Sequence, residues 1–305
     1  MTDVPSSAVC VLRDLVPRER FVATLREACE HRSPFAAGKL GVSERSWLAY
    51  PIVLEREKDP VRRRAFELVL AHRSLKTSGI FPPRVDFLER WCARFVEEVA
   101  ALDSIGILSS GDALELLDLH GMAGGRVTYF KSHQPERFSP SEPERCYLPA
   151  LAGLDVLLLC PFADFLAERA NEATFERVWA KTGKEWFHPR SVQSLELPYG
   201  FASATQRRYE TLLDLHADIA RELGERTYDV ALIAAGGLGI PLANAARREG
   251  RIGISLGGHL QVLFGVLGER WRGRPDWRER YFNDAWVDLP PAYVPAAGES
   301  TENYW

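Results

Sequence analysis

Four short apolar segments constrain the fold of this chain more than any other feature, because each ends in small or turn-forming residues and leads into a helical pattern. They are predicted as strands over Ser104 to Leu108, Asp155 to Cys160, Tyr228 to Ala235 and Arg251 to Leu256. Short runs that are apolar throughout are typical of parallel strands, since helices cover both faces of a parallel sheet. The sequence therefore predicts an α/β fold with a Rossmann-like, mostly parallel sheet flanked by helices.

The 305 residues are expected to form a single domain, within the size range of large α/β domains. Residues 1–102 are predicted to be mainly helical with one strand, residues 103–270 to form the sheet, and residues 271–305 to form an aromatic C-terminal tail. The tail is expected to pack on the body because so many rings are costly to expose to water. The spacing of apolar residues predicts N-terminal helices over Arg18–His31, Pro60–His72 and Pro83–Leu102.

Composition excludes several classes of function. A formal net charge of −4 argues against a nucleic-acid partner, since phosphate binding needs clustered lysine and arginine. The run from Arg62 to Arg64 is interpreted as the solvated face of a helix. The five cysteines stand singly, which favours a reducing compartment and a cytoplasmic protein. No run reaches the roughly 20 apolar residues of a transmembrane helix, so any membrane contact is expected to be peripheral.

A glycine turn, Gly236-Gly237-Leu238-Gly239, follows the third predicted strand. Glycine lets the backbone approach a ligand closely, and the helix N-terminus behind it presents amides suited to phosphate. The turn does not match GxGxxG, and no acidic residue stands where one would bind a ribose, which disfavours a dinucleotide-dependent dehydrogenase. Glycine turns of α/β proteins are also common as plain connections, so both interpretations stay open.

A second turn, Gly257-Gly258-His259-Leu260-Gln261, repeats the arrangement after the fourth predicted strand. Adjacent strand ends of an open sheet face one ligand. His259 is expected to be neutral, because the positive end of a helix dipole lowers the pKa of an imidazole. His259 and Gln261 are candidate contacts to phosphate or sugar, and a structural histidine and a helix-capping glutamine are the alternatives.

A third candidate region is Lys39-Leu40-Gly41-Val42-Ser43-Glu44. It is expected to join a short strand to a helix that has Ser43 as its N-cap. Gly41 is then placed near a nucleotide, and Glu44 is a candidate general base or metal ligand. A surface glutamate in a first helical turn is the alternative. The proline-rich stretch from His133 to Pro149 is predicted to be an ordered surface loop.

These stretches resemble a bacterial family of GT-D-fold glycosyltransferases. The resemblance rests mainly on Asp229–Ile233 with the first glycine turn, and on Ile254–Gly265 with Arg270 and Trp271 behind it. Weaker agreement follows the same order in three other places. These are residues 34–44, the run Leu157–Ala163 and the tail from Asn283 to Trp305.

The resemblance implies transfer of a sugar from a nucleoside-diphosphate-sugar donor to a glycan or protein hydroxyl, in surface polysaccharide or glycoconjugate assembly. It assigns catalysis to Glu44, and His259 in the second glycine turn is expected to take part by stabilising the departing diphosphate. The donor is expected to be bound by Gly41, Gly236, Gly237, Gly239, Gly257, Gly258 and Gln261.

The family also carries an Asp-x-Glu motif tied to catalysis and a divalent metal. The aspartate position is Val42 here, so half of the hard oxygen ligands are absent and a role for Mn or Mg rests on Glu44 alone. Val42 also motivates a second hypothesis, a non-catalytic nucleotide- or sugar-binding protein that regulates or scaffolds glycan biosynthesis. The two hypotheses differ in whether transfer follows binding of the donor.

Overall fold

The computed structural model describes residues 15–108, 111–122, 124–137, 142, 144–296 and 298–299, with only the backbone of residues 111 and 112. The strands are β1 (Phe35–Leu40), β2 (Ser104–Ile107), β3 (Val127–Tyr129), β4 (Asp155–Cys160), β5 (Ser191–Glu196), β6 (Val230–Ile233) and β7 (Ile252–Ser255). They form one seven-stranded sheet in the order β3-β2-β1-β7-β6-β4-β5, and every pair is parallel. The predicted α/β class and Rossmann-like sheet are confirmed.

Helices flank this sheet on both faces. Over the described residues they are α1 (Arg18–His31), α2 (Val42–Arg56), α3 (Pro60–Ser78), α4 (Val85–Ala100), α5 (Gly111–Leu119), α6 (Ala163–Arg169), α7 (Glu172–Val178), α8 (Ser203–Arg208), α9 (Leu212–Glu225), α10 (Gly239–Arg248), α11 (His259–Leu263), α12 (Glu269–Arg272) and α13 (Pro275–Arg280). Among the described helices, no segment combines the length and apolar character needed to span a bilayer.

The strand sequences are apolar throughout because each strand is buried on both faces. In β4, Val156 and Leu158 belong to the core beneath α1, α7 and α11, whereas Leu157 and Leu159 belong to the core beneath α2, α4 and α10. Successive side chains of a strand point to opposite faces, so a continuous run of leucine fills two cores at once. The predicted tail packs in the first of these cores through Trp271, which is buried.

Helix α10 lies unusually close to the sheet. Gly38 of β1 and Gly253 of β7 face it, and a Cβ on Gly253 would lie 2.3 Å from the carbonyl oxygen of Ala243. A Cβ on Gly38 would lie 2.7 Å from Cγ1 of Ile240. Larger residues at either strand position would push the helix outward, so these two glycines set the depth at which α10 and the turn before it are seated.

Several sequence predictions need correction. The strands β2, β6 and β7 are shorter than predicted, and β3 and β5 were missed, because β3 has three residues and β5 is largely polar. Ser43 is not an N-cap, since α2 begins at Val42 and Gly41 takes the cap position without a side-chain bond. The Ser43 hydroxyl instead lies 3.2 Å from that of Thr77 on α3.

The tail prediction is confirmed over the described residues of 271–305, where the tryptophans and one tyrosine are buried: Trp271, Trp277, Tyr281 and Trp286. Their rings contact one another and Trp179, with Trp179 and Trp286 at 5.4 Å between centroids. Tyr304 and Trp305, which were also assigned to the packed tail, lie outside the described residues.

We expect Gly253→Ala to lower the free energy of unfolding by about 1–3 kcal/mol, because the added methyl group overlaps the backbone of α10. Gly273→Ala is the matched control, since its Cβ would have no neighbour closer than 4.0 Å and its φ of −75° suits any residue. Urea unfolding of both variants measures the difference. Equal stability of the two would contradict the close seating of α10.

Candidate functional site

A cavity of about 620 Å³ lies at the carboxyl edge of the sheet. Every strand contributes to its wall within the first few residues after the strand ends. In sheet order, the contributing residues are Phe130, Leu108, Gly41, Leu256, Ala234, Pro161 and Leu197. Parallel strands bring their following loops to one edge, which is where open α/β sheets bind ligands. The cavity is therefore the candidate functional site.

The wall of the cavity is strongly basic although the chain as a whole is acidic. Six basic side chains contribute to the wall, against one carboxylate, that of Glu44. The basic residues are Lys39, Arg73, Lys131, Arg137, Arg270 and Arg274. A concave, partly desolvated site with this imbalance attracts anions and weakens the binding of free cations. The described charges therefore point to a ligand with negative charge.

Lys39 is the most deeply buried of these cations. It is the last residue but one of β1, and its Nζ donates a 2.5 Å hydrogen bond to the carbonyl oxygen of Leu256 after β7. The pKa of Lys39 is lowered to about 7, mainly by burial; Glu136 and Glu44 raise it, whereas Arg270 and Arg137 lower it. Near pH 7 the Lys39 amine is therefore only partly protonated, and a bound anion would favour its charged ammonium form.

Glu44 lies in the first turn of α2 with its carboxylate folded back over Gly41. A Cβ on residue 41 would lie 2.8 Å from Oε2 of Glu44, so glycine at this position leaves room for the carboxylate. Burial raises the pKa of Glu44, while Lys39 and Arg270 partly offset that effect. A carboxylate with a raised pKa in a cavity is a candidate proton acceptor.

His259 is held at both ring nitrogens. Its Nδ1 lies 2.7 Å from Oε1 of Glu136, and its Nε2 lies 2.9 Å from Nε2 of Gln134. Burial lowers the pKa of His259 to about 4, so the ring is neutral, donates from Nδ1 to the carboxylate and accepts from the Gln134 amide. Arg137 donates through Nε to the oxygen of the same amide.

Glu136 is charged in this network. It is 1% exposed, and its Oε2 has no hydrogen-bond partner among the described residues. Burial alone would raise the pKa of Glu136, but His259, Lys39 and Arg137 together lower it. A buried carboxylate is tolerated only where cations compensate it. Glu136 therefore interacts both with the cations of the wall and with His259.

The segment that carries Glu136, from His133 to Pro149, was predicted to be a surface loop, and this prediction is wrong for the described residues at both of its ends, since Cys146, Tyr147 and Leu148 are also buried. His133, Gln134 and Glu136 are all buried, because two 3₁₀ turns, Phe130–His133 and Pro135–Arg137, fold the chain under the cavity. Prolines and polar residues had suggested exposure. The pattern could not reveal that the polar groups satisfy one another and His259.

The structure brings most of the predicted site residues to one cavity. Glu44, His259 and Gln261 contribute to its wall, together with Gly41, Gly236 and Gly257. Gly236 has φ +52°, and a Cβ there would lie 2.8 Å from the carbonyl oxygen of Ser78, so glycine is required on both counts.

The other three predicted glycines, Gly237, Gly239 and Gly258, do not contribute to the wall. Gly237 packs beneath it, where a Cβ would lie 2.3 Å from Cδ1 of Ile80. Gly239 begins α10 beside the hydroxyl of Ser255. Gly258 precedes α11. The assignment of these three to nucleotide binding stays a prediction.

Aromatic and apolar residues also contribute to the wall of the cavity. Tyr199 and Phe201 contribute stacked rings, with 5.0 Å between centroids and 23° between planes. The Tyr199 hydroxyl donates to the carbonyl oxygen of Tyr293, which fixes its ring. Leu212 and Leu215 of α9 also line the cavity. The cavity therefore offers both cationic groups and aromatic rings to a single ligand.

The residues present do not fit a divalent metal. Glu44 is the sole carboxylate in the described wall, and the neighbouring Val42 carries no ligand atom. Within the described ranges no cluster of three histidine, cysteine, aspartate or glutamate side chains could hold a metal ion. Lys39 and Arg270 beside Glu44 would also repel a cation.

Comparisons of the chain with models of protein families, with curated proteins and with solved structures gave no match.

We expect sulfate to bind in the cavity more weakly as the pH rises from 7 to 9. Lys39 has a pKa of about 7, and a bound anion favours its charged form. The protein therefore takes up a proton on binding above pH 7, and affinity falls by up to about tenfold per pH unit. Sulfate does not titrate in this range, so calorimetry from pH 6 to 9 measures the effect directly.

Lys39→Met should bind sulfate weakly with little dependence on pH. Lys131→Met is the matched control, because Lys131 is an exposed lysine of the same wall. A pH dependence that persists in Lys39→Met would contradict the assignment to Lys39.

Proposed function

We propose that this protein is a glycosyltransferase that moves a sugar from a nucleoside-diphosphate-sugar donor to a hydroxyl of a glycan or protein. The observation that carries the proposal is a single cavity at the carboxyl edge of a parallel sheet whose wall combines six cations with a stacked aromatic pair. A nucleotide sugar has the matching parts, a diphosphate and a flat base. The resemblance of the glycine turns to GT-D glycosyltransferases, which stays a prediction, motivates the choice of reaction.

The diphosphate of the donor would lie beside the cations of the wall. Lys39, Arg137 and Arg270 interact electrostatically with Glu44 or Glu136, and a bound diphosphate would compensate the positive charge of the wall. A diphosphate leaving group needs its growing negative charge stabilised during transfer, a task that fixed cations can perform. Lys39 and the arginines thereby supply positive charge at the place where the family's metal would supply it.

The base would lie against the stacked rings of Tyr199 and Phe201. Ring stacking is worth about 1–3 kcal/mol per base in proteins that bind single strands, and the same contact is open to a free nucleotide. Glu44 contributes to the same wall, so the sugar would lie within its reach.

In the transfer step, the oxygen of the acceptor hydroxyl forms a bond to the anomeric carbon of the sugar. The bond from that carbon to the phosphate oxygen breaks, and the nucleoside diphosphate leaves with the electron pair. The hydroxyl proton passes to the Glu44 carboxylate, whose pKa is raised by burial. His259 orients the wall through Glu136 and Gln134, because both of its nitrogens are occupied.

We expect Glu44→Gln to lower the turnover number by about 10²- to 10⁴-fold, the range for loss of a general base. Donor affinity and unfolding free energy should change little, because the amide keeps the shape of the carboxylate. Release of nucleoside diphosphate and labelling of an acceptor panel measure turnover, and calorimetry measures donor binding. Glu55→Gln, an exposed change on the same helix, is the matched control. Turnover equal to that of the control would remove Glu44 from the mechanism.

The second hypothesis, a non-catalytic binding protein, is favoured by Val42, which takes the place of the family's aspartate and is half-exposed. Calorimetry with several nucleoside diphosphates and their sugars separates the hypotheses. Saturable binding that Lys39→Met weakens, without release or transfer from any donor, would establish a binding protein. No binding to any nucleotide would contradict both. Gly237→Val is unsuitable for this test, since its side chain would clash with Ile80.

A further inference from the structure

Helix α3 (Pro60–Ser78) has an outer face that is apolar at its centre. Val61, Leu68 and Val69 are 75%, 41% and 66% exposed, and Ala65 is exposed between them. The spacing i, i+4, i+7 and i+8 places the four on one side of the helix. Leu70 and Ser74, on the opposite side, are buried. Helix α3 therefore carries apolar side chains on its outer face as well as on the inner face that packs against the core.

The charges of α3 are almost all positive. The helix contains Arg62, Arg63, Arg64, Arg73 and Lys76, together with His72, and a single acid, Glu67. Glu67 is buried and accepts from Arg63 at 3.2 Å, so it adds no negative charge to the outer face. The exposed strip thus has an apolar centre with arginine and lysine along it.

An apolar strip bordered by arginine and lysine is the pattern of helices that lie in the headgroup region of a bilayer. The apolar side chains enter the boundary between headgroups and acyl chains, and the basic side chains attract anionic lipid. A nucleic acid would match the charges but would leave Val61 and Val69 without a partner. The combination of apolar and basic side chains on one face therefore favours a lipid surface over a nucleic acid as the partner.

Helix α3 also reaches the cavity. Arg73, Thr77 and Ser78, at the carboxyl end of the helix, contribute to the cavity wall. The apolar strip lies toward the amino end of the same helix, at residues 61–69. The strip and the cavity wall are therefore separate parts of α3.

We propose that the outer face of α3 docks the protein on the surface of anionic lipid bilayers. The docking is peripheral and reversible, with Val61, Leu68 and Val69 inserted and the arginines at headgroup phosphates. The docking itself does not depend on which ligand the cavity binds.

Co-sedimentation with vesicles tests the proposal. Vesicles of phosphatidylglycerol and phosphatidylcholine in equal parts are compared with vesicles of phosphatidylcholine alone, at about 0.1 M salt, where charges still act over about 10 Å. We expect binding to the anionic vesicles only. Val61→Ser with Val69→Ser should weaken it by about fivefold or more through the lost apolar area, and Arg62→Glu with Arg64→Glu by at least about tenfold.

The matched charge control is Arg20→Glu with Arg177→Glu. Both arginines are exposed and lie on α1 and α7, across the sheet from α3. This variant should bind the anionic vesicles as the unchanged protein does. Thermal unfolding of all variants, each changed only at exposed positions, confirms that losses of binding are not losses of folding.

Three results would overturn the proposal. The first is the absence of binding to anionic vesicles. The second is an equal loss of binding in the control variant, which would show general charge attraction. The third is a dimer in solution that Val61→Ser with Val69→Ser converts to monomer while vesicle binding is absent. The apolar strip would then be an interface between two copies of the chain.

Discussion

The close seating of α10 on β1 and β7 is the constraint on which the site depends. Gly38 and Gly253 remove the side chains that would hold the helix away, so the carbonyl of Ala243 comes within contact distance of the strand. The turn at Gly236 is drawn in with the helix and meets the carboxyl end of α3 at Ser78. This turn, the carboxyl end of α3 and the residues that follow β1 and β7 thereby form the central part of the cavity wall.

Electrostatics within that space is organised around buried groups of opposite sign. Lys39 binds the carbonyl of Leu256 across the two central strands, and Glu136 lies near enough to affect its pKa. Neither group would tolerate burial alone, because an uncompensated charge inside a protein is costly. Together with Arg137 and His259 they form a wall that remains short of negative charge, and an anionic ligand completes it.

The sequence predicted the centre of the fold well and its periphery poorly. Strands such as β4 are buried on both faces and therefore read as continuous apolar runs, whereas β5 is partly exposed and polar and carries no such signal. In the site, glycine turns located the cavity edge. Glu136 could not be predicted, because its importance arises from a contact with a histidine 123 residues away. Lys39 stands at the start of the predicted Lys39–Glu44 region, but the sequence could not show that its side chain is buried.

The two neutral histidines beneath the cavity make this part of the molecule sensitive to acid. Burial lowers the pKa of His133 to about 3 and that of His259 to about 4, below the ordinary value of 6.5. As the pH falls from 6.5 toward 4, the unfolded chain binds protons that the folded chain cannot, so folding stability declines. His133 belongs to the segment 133–136, and the ring of His259 contacts it. The buried polar network around Glu136 therefore makes the fold less tolerant of acid than its apolar cores alone would.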